Sequence, residues 1–150
     1  MERNCMKKVI AVLSTLLASI LLFTACSLSD DLTDKADIIK LFNDNKDSIT
    51  SAVEDGSFDE VEKIRGIESV YESDNYIDFS CGGTGLGPST QYYGFFYSAT
   101  DDWTAWNGGV CSADELYEFG DGYKYQQTDG DNEYYVEEIG EHFFYYEARF

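Results

Sequence analysis

A chain of 150 residues with 29 acidic and 10 basic side chains carries −19 at pH 7. That balance argues against nucleic acid as a partner, because affinity for phosphate backbones comes mainly from Lys and Arg. It also sets anionic headgroups against the chain within about one Debye length, ~8 Å at physiological salt. Aromatics make up 16% of the residues, which speaks against a disordered acidic tail, and 20 of the 24 lie in residues 76–150, pointing to a packed β-rich half.

Lys7 and Lys8 precede a 15-residue run, Val9–Phe23, interrupted by Ser14, Thr15 and Ser19. A basic start and an apolar stretch of this length form a secretory signal; a spanning helix needs about 20 apolar residues. Met6, directly ahead of the two lysines, makes a more ordinary signal start than residues 1–5 and is the expected initiator.

Leu22-Phe23-Thr24-Ala25-Cys26 resembles the lipobox of bacterial lipoproteins, with Phe23 departing from the usual aliphatic residue. The resemblance implies a diacylglycerol on the Cys26 thiol and cleavage between Ala25 and Cys26. Two acyl chains, palmitate among them, anchor stably where one binds reversibly. The expected organisation is a signal over 1–25, a lipidated cysteine and short polar linker over 26–33, and one acidic, aromatic-rich domain over 34–150. Residues 1–25 set Glu2 against Arg3, Lys7 and Lys8, so the chain from Cys26 onward carries −21, with 28 acidic and 7 basic residues.

From about Asp34 to Asp55 the residues Ile38, Phe42, Ile49 and Val53 fall on one helical face. Ile39, Leu41 and Ala52 widen that stripe. Thr33 or Asp34 caps its start and Gly56 its end. Ser57-Phe58-Asp59-Glu60 has capping-box spacing and predicts a second, short helix through Ile64, closing at Gly66. Ile67–Tyr71 and Tyr76–Ser80 flank the turn residues Ser73-Asp74-Asn75 and predict a hairpin, with Cys81 ending its second strand.

The Gly82–Ser89 loop lacks the Lys of a P-loop and does not match the dinucleotide fingerprint; it reads as a flexible connection or a close approach of backbone to ligand. Gln91–Ser98 carries aromatics on both faces, as a central strand does. Ser112-Ala113-Asp114-Glu115 again has capping-box spacing and predicts one or two helical turns through Phe119, stopped by Gly120. Tyr123–Thr128, Glu133–Ile139 and His142–Phe150 read as strands joined by Asp129-Gly130-Asp131-Asn132 and by a Gly140-Glu141 type II′ loop. That loop pairs Ile139 with His142, Val136 with Tyr145 and Tyr135 with Tyr146. The fold class expected is α+β, an N-terminal helix or two packed on an antiparallel β-meander of about five to six strands.

Few residues point to chemistry. Cys81 and Cys111 are the thiols left once Cys26 is acylated, and export permits them to pair or to stay as buried apolar thiols. His142 is the one histidine; no nucleophile elbow or reactive-cysteine motif accompanies it, and it reads as a strand-end residue. Asp129 and Asp131 faintly resemble the start of a calcium loop, but Tyr134 stands where Gly belongs. No cofactor is expected. Trp103, Trp106 and Tyr92 are candidates for a stacking platform, with core burial as the plainer alternative.

Tyr92-Tyr93-Gly94-Phe95-Phe96-Tyr97-Ser98, the Asp101-Asp102 turn and Phe143-Phe144-Tyr145-Tyr146-Glu147 resemble segments of small lipoproteins of Gram-positive bacteria. That resemblance covers most of residues 60–150 and implies location and fold but no activity. The function expected is a non-catalytic, extracytoplasmic binding module held to the cell membrane through Cys26, its ligand an envelope protein, a peptide or a sugar. The alternatives are a carboxylate-based hydrolase, which needs two inward-facing carboxylates with at least one shifted pKa, and an acidic inhibitor or decoy of a basic partner. The charge is also explained by solubility alone.

Overall fold

A computed structural model describes residues 31–85, Gly87 and 90–150; the signal, Cys26 and three members of the glycine-rich loop (Leu86, Pro88 and Ser89) lie outside the described residues. The first element is helix α1, Lys35–Asp55. Asp34 caps it by accepting the Ala36 and Asp37 N–H groups at 2.9 and 3.3 Å. Gly56, at φ 63°, ends it in the left-handed conformation that costs glycine least. Ile38, Leu41, Phe42, Ile49 and Ala52 are buried, as the stripe predicts, and Val53 is half-buried.

The expected second helix is only a 3-10 turn, Val61–Lys63. Its capping box does not form, and the Glu60 carboxylate instead takes the Lys63 ammonium at 2.6 Å. Val61 is its one buried residue, too little apolar face to hold so short a helix in place.

Seven antiparallel strands follow: β1 Ser69–Glu72, β2 Ile77–Thr84, β3 Gln91–Tyr97, β4 Tyr117–Phe119, β5 Gly122–Gln126, β6 Glu133–Gly140 and β7 Phe143–Arg149. They form one sheet in the order β1-β2-β3-β7-β6-β5-β4. After β3 the chain crosses to the far edge, then steps back through β4, β5 and β6, so β7 closes the gap beside β3. The α+β class holds coarsely: among the described residues there is one α-helix, within the one or two expected, and seven strands rather than five or six.

The extra strand is β4. The Ser112–Glu115 capping box does form, but the helix lasts only Ala113–Glu115, because Leu116 turns extended and Tyr117-Glu118-Phe119 pairs with Lys124-Tyr123-Gly122 around Gly120. A strand-period alternation overrides the helical start. β2 also runs past Cys81, through a bulge at that residue. There the Cys81 carbonyl accepts the Leu32 N–H at 2.8 Å.

The last hairpin is shifted from the expected register. Gly140 pairs with Phe143, Glu138 with Phe144, Val136 with Tyr146 and Tyr135 with Glu147, and a bulge at Ile139 absorbs the offset. The reversal falls on Glu141 and His142, and His142 sits at φ 65°. Its carbonyl accepts the Ser98 N–H at 2.9 Å and its Nδ1 meets Asp101 at 2.7 Å, so tertiary bonds hold a turn that the Gly-x signal alone places one residue early.

Each face of the sheet has its own core. On one face α1 packs Ile38, Leu41, Phe42 and Ile49 against Phe79, Phe95, Phe143 and Tyr145. On the other, the segment between β3 and β4 lays Trp103, Ala105, Trp106 and Cys111 over Phe96, Tyr134, Phe144 and Tyr146.

Gly94 lies in the middle of β3, where neighbouring groups leave no room for a side chain. A Cβ there would sit 2.5 Å from the Phe79 carbonyl oxygen and 2.7 Å from the Tyr146 hydroxyl. Overpacking of this kind costs about 1–3 kcal/mol and sometimes more. Gly94→Ala is expected to fall at or above the upper end, read as a lower urea midpoint with an unchanged m-value. A midpoint equal to the parent's contradicts the packing described.

Candidate ligand-binding site

The helix covers only part of its face. Beyond it, strands β3, β7, β6, β5 and β4 present an open floor, because register aligns alternate side chains on the same side. One row runs Gln91, Arg149, Glu133 across β3, β7 and β6; the next runs Tyr93, Glu147, Tyr135, Lys124, Tyr117 across all five strands. Lys35, at the start of α1, and Phe119, at the end of β4, border a cavity of about 290 Å³ over this floor.

Its charges are distinctive for so acidic a chain. Three of the seven cations after Cys26, namely Lys35, Lys124 and Arg149, line it, equal in number to the lining acids Asp121, Glu133 and Glu147. Lys35 binds the Glu137 carboxylate and donates to the Tyr135 hydroxyl at 3.2 Å. Burial lowers the Lys35 pKa, but the bonds to Glu137 and Tyr135 outweigh that and hold it above its ordinary value. Lys124 lies 3.5 Å from Glu133 and over the Phe119 ring, 5.5 Å from its centroid. Phe119 and Tyr117 remain 54% and 48% exposed, so apolar surface and fixed charges share one hollow, as small-ligand sites do.

The residues singled out from sequence lie elsewhere. Trp106 stacks on Tyr146 with ring centroids 3.6 Å apart, and Trp103 packs on Phe144 at 5.0 Å and Tyr123 at 4.8 Å. Both are half-buried and roof the second core. Tyr92, 42% exposed, reaches them only through Phe150, 6.4 Å away. Cys81 and Cys111 are free thiols belonging to opposite faces of the sheet, so the possible bridge does not form. Burial pushes the Cys81 thiol up to about 12 and also raises that of Cys111, the reverse of a reactive cysteine. Asp129 and Asp131 are exposed, and among the described residues no group of three or more His, Cys, Asp or Glu is placed to hold a metal. His142 forms its pair with Asp101 and meets the Tyr97 ring edge-on at 5.9 Å.

Two carboxylate arrangements escaped the sequence reading. Asp78 lies under the tryptophan segment, where its Oδ1 accepts the Tyr146 hydroxyl at 2.9 Å and its carboxylate also bonds Trp106. Desolvation raises it to about 6 against those two donors. No local signal marked it, since an acid alternating with Ile77 and Phe79 reads as solvent-facing until the second core is known. Beside the neighbouring edge strand β1, the Glu68 carboxyl is raised by its hydrogen bond with Asp31, then by burial.

Comparison of the chain with protein-family models, with curated proteins and with solved structures finds no match.

Proposed function

We propose that the chain from Cys26 onward is a non-catalytic binding module, tethered by lipid to the outer face of the cell membrane, that takes a small polar ligand in the cleft over β3–β7–β6–β5–β4. The cleft carries this reading: it gathers charge-balanced polar groups and exposed aromatics on a rigid floor. Leu22–Cys26, with the apolar run before it, supports the tether. No described helix is long and apolar enough to cross a membrane.

Two experiments test the halves separately. Cells fed labelled palmitate should label the parent chain and not Cys26→Ser; a parent without label, or a variant that keeps it, contradicts the anchor. For the cleft, a thermal-shift screen of the full chain in detergent against small polar ligands should find members that raise Tm in the parent and not in Lys124→Glu. A ligand at 100 times its Kd adds about 2.7 kcal/mol. A screen with no such ligand counts against the binding reading.

The Asp31–Glu68 pair favours hydrolysis as a second reading, since two carboxyls close enough to share a proton can supply an acid and a base. The pair borders a hollow with Lys63, Ile64 and Gly66, but Glu68 is exposed and the hollow shallow. Hydrolytic activity abolished by Glu68→Gln would move the assignment there.

A further inference from the structure

Glu147 and Arg149 project to the same side of β7, two residues apart and thus about 6.8 Å along the strand at roughly 3.4 Å per residue. Among the described residues, neither forms an ion pair with the other or with any third side chain. Glu147 accepts one hydrogen bond, from the Tyr145 hydroxyl at 2.8 Å. The remaining cations of the cleft are engaged, Lys35 with Glu137 and Lys124 with Glu133. The floor therefore holds one positive and one negative group outside any ion pair, two residues apart on the central strand of the sheet.

We propose that the cleft takes a dipeptide-sized zwitterion, its carboxylate on Arg149 and its ammonium on Glu147. This deepens the binding reading and rests on it. The charges select the class: a free anion meets Asp121, Glu133 and Glu147, a free cation meets Lys35, Lys124 and Arg149, and a molecule with both ends answers both sets. Covering a lone charge with an unlike surface leaves it desolvated and unpaired, which costs several kcal/mol, so a neutral ligand is disfavoured over both groups.

Size agrees. An extended dipeptide reaches at most about 7 Å, close to the offset of the two residues along the strand. The 290 Å³ of the cavity lies at the lower end of small-molecule pockets, about 300–1,000 Å³. The guanidinium fork suits a carboxylate because two parallel N–H bonds can form. Phe119 and Tyr135, rings 6.3 Å apart and edge-to-face, offer an apolar wall to a ligand side chain.

The test is calorimetric titration of the full chain in detergent with four probes: L-alanyl-L-alanine, its N-acetyl derivative, its C-terminal amide and N-acetylglucosamine. The dipeptide is expected to bind, and capping either end to weaken it about tenfold or more, since hydrogen bonds to charged groups contribute about 1.5–3 kcal/mol. Arg149→Gln should cost the dipeptide a similar factor and leave the amide unchanged; Glu147→Gln should do the same for the N-acetyl form. Glu147→Gln preserves shape and Arg149→Gln shortens the side chain, both at partly exposed positions, and an unchanged melting curve confirms that they fold. Equal affinity for the dipeptide and both capped forms overturns the proposal, and so does silence from the dipeptide. If N-acetylglucosamine binds where the dipeptide does not, the zwitterion assignment fails and the cleft survives as a site. The thermal-shift screen above decides the cleft itself.

Discussion

Phe42→Ala is expected to lower the unfolding free energy by about 3–5 kcal/mol, the range for an aromatic removed from a core. Phe42 has no exposed surface and, with Ile38, Leu41 and Ile49, packs α1 on the sheet. Its ring lies 4.9 Å from that of Phe143 and 5.5 Å from that of Phe95. Its edge also reaches Gly140, where a Cβ would stand 3.0 Å from it. Truncation therefore opens a void at the junction of helix, β3 and the last hairpin, where rigid strands limit collapse. Small domains have about 5–15 kcal/mol in total, so the variant should show a large fall in Tm and early hydrogen exchange across α1. A loss below about 1 kcal/mol contradicts the placement of α1.

The second large effect depends on pH. Asp78 is raised from an ordinary 3.8 to about 6, chiefly by desolvation and against hydrogen bonds from Trp106 and Tyr146. Between those values the folded state holds a proton that the unfolded state has released. Stability from this group is therefore full below about pH 4, falls as pH rises through 6, and is level above. At 1.36 kcal/mol per pH unit the loss is on the order of 3 kcal/mol. Asp78→Asn removes the titration and retains an acceptor for Tyr146. It should match or exceed the parent near neutral pH, with the difference in its favour growing by about that amount between pH 4 and 7. Urea melts of both proteins across that range check this. Comparing the two cancels the repulsion among other carboxylates, which also changes with pH. Parallel curves would mean that Asp78 is as well solvated when folded as when unfolded.

Local signals in this chain are legible where one residue pattern has one physical outcome. Ile38, Phe42 and Ile49 share a helical face, Asp34 and Gly56 bound it, and α1 appears between them. The Ser73–Asn75 and Asp129–Asn132 turns likewise reverse the chain. Where two patterns compete the reading misses. Ser112–Glu115 forms its capping box, yet the alternation in Tyr117-Glu118-Phe119 takes the backbone into β4.

The register of the last hairpin is hidden for a different reason. β7 is apolar on both faces, Phe143 and Tyr145 on one and Phe144, Tyr146 and Ala148 on the other. A one-residue slip normally exchanges core for solvent, but here it exchanges one core for another, and the alternation carries no mark of it.

The cleft is beyond reach for topological reasons. Gln91, Lys124 and Arg149 become neighbours only because β7 inserts between β3 and β6, a pairing no local spacing announces. The tryptophans drew attention as large aromatics in a turn, and they turn out to roof the second core through Tyr146 and Phe144. Asp78 is hidden as well: Ile77-Asp78-Phe79 reads as ordinary strand alternation, and only the second core on the other face of the sheet buries the acid.

The most direct test of the whole account labels aromatic side chains of the parent chain on intact cells with a membrane-impermeant reagent, with and without L-alanyl-L-alanine. Labelling without lysis is expected, strongest at the exposed Tyr71, Phe119 and Tyr117 and absent from Tyr134, Tyr145 and Phe144, with the dipeptide protecting Phe119 and Tyr135 and leaving Tyr71, on the far edge strand, unchanged. Labelling that requires lysis, or protection at Trp103 and Trp106 in place of β4 and β6, would contradict both the location and the site.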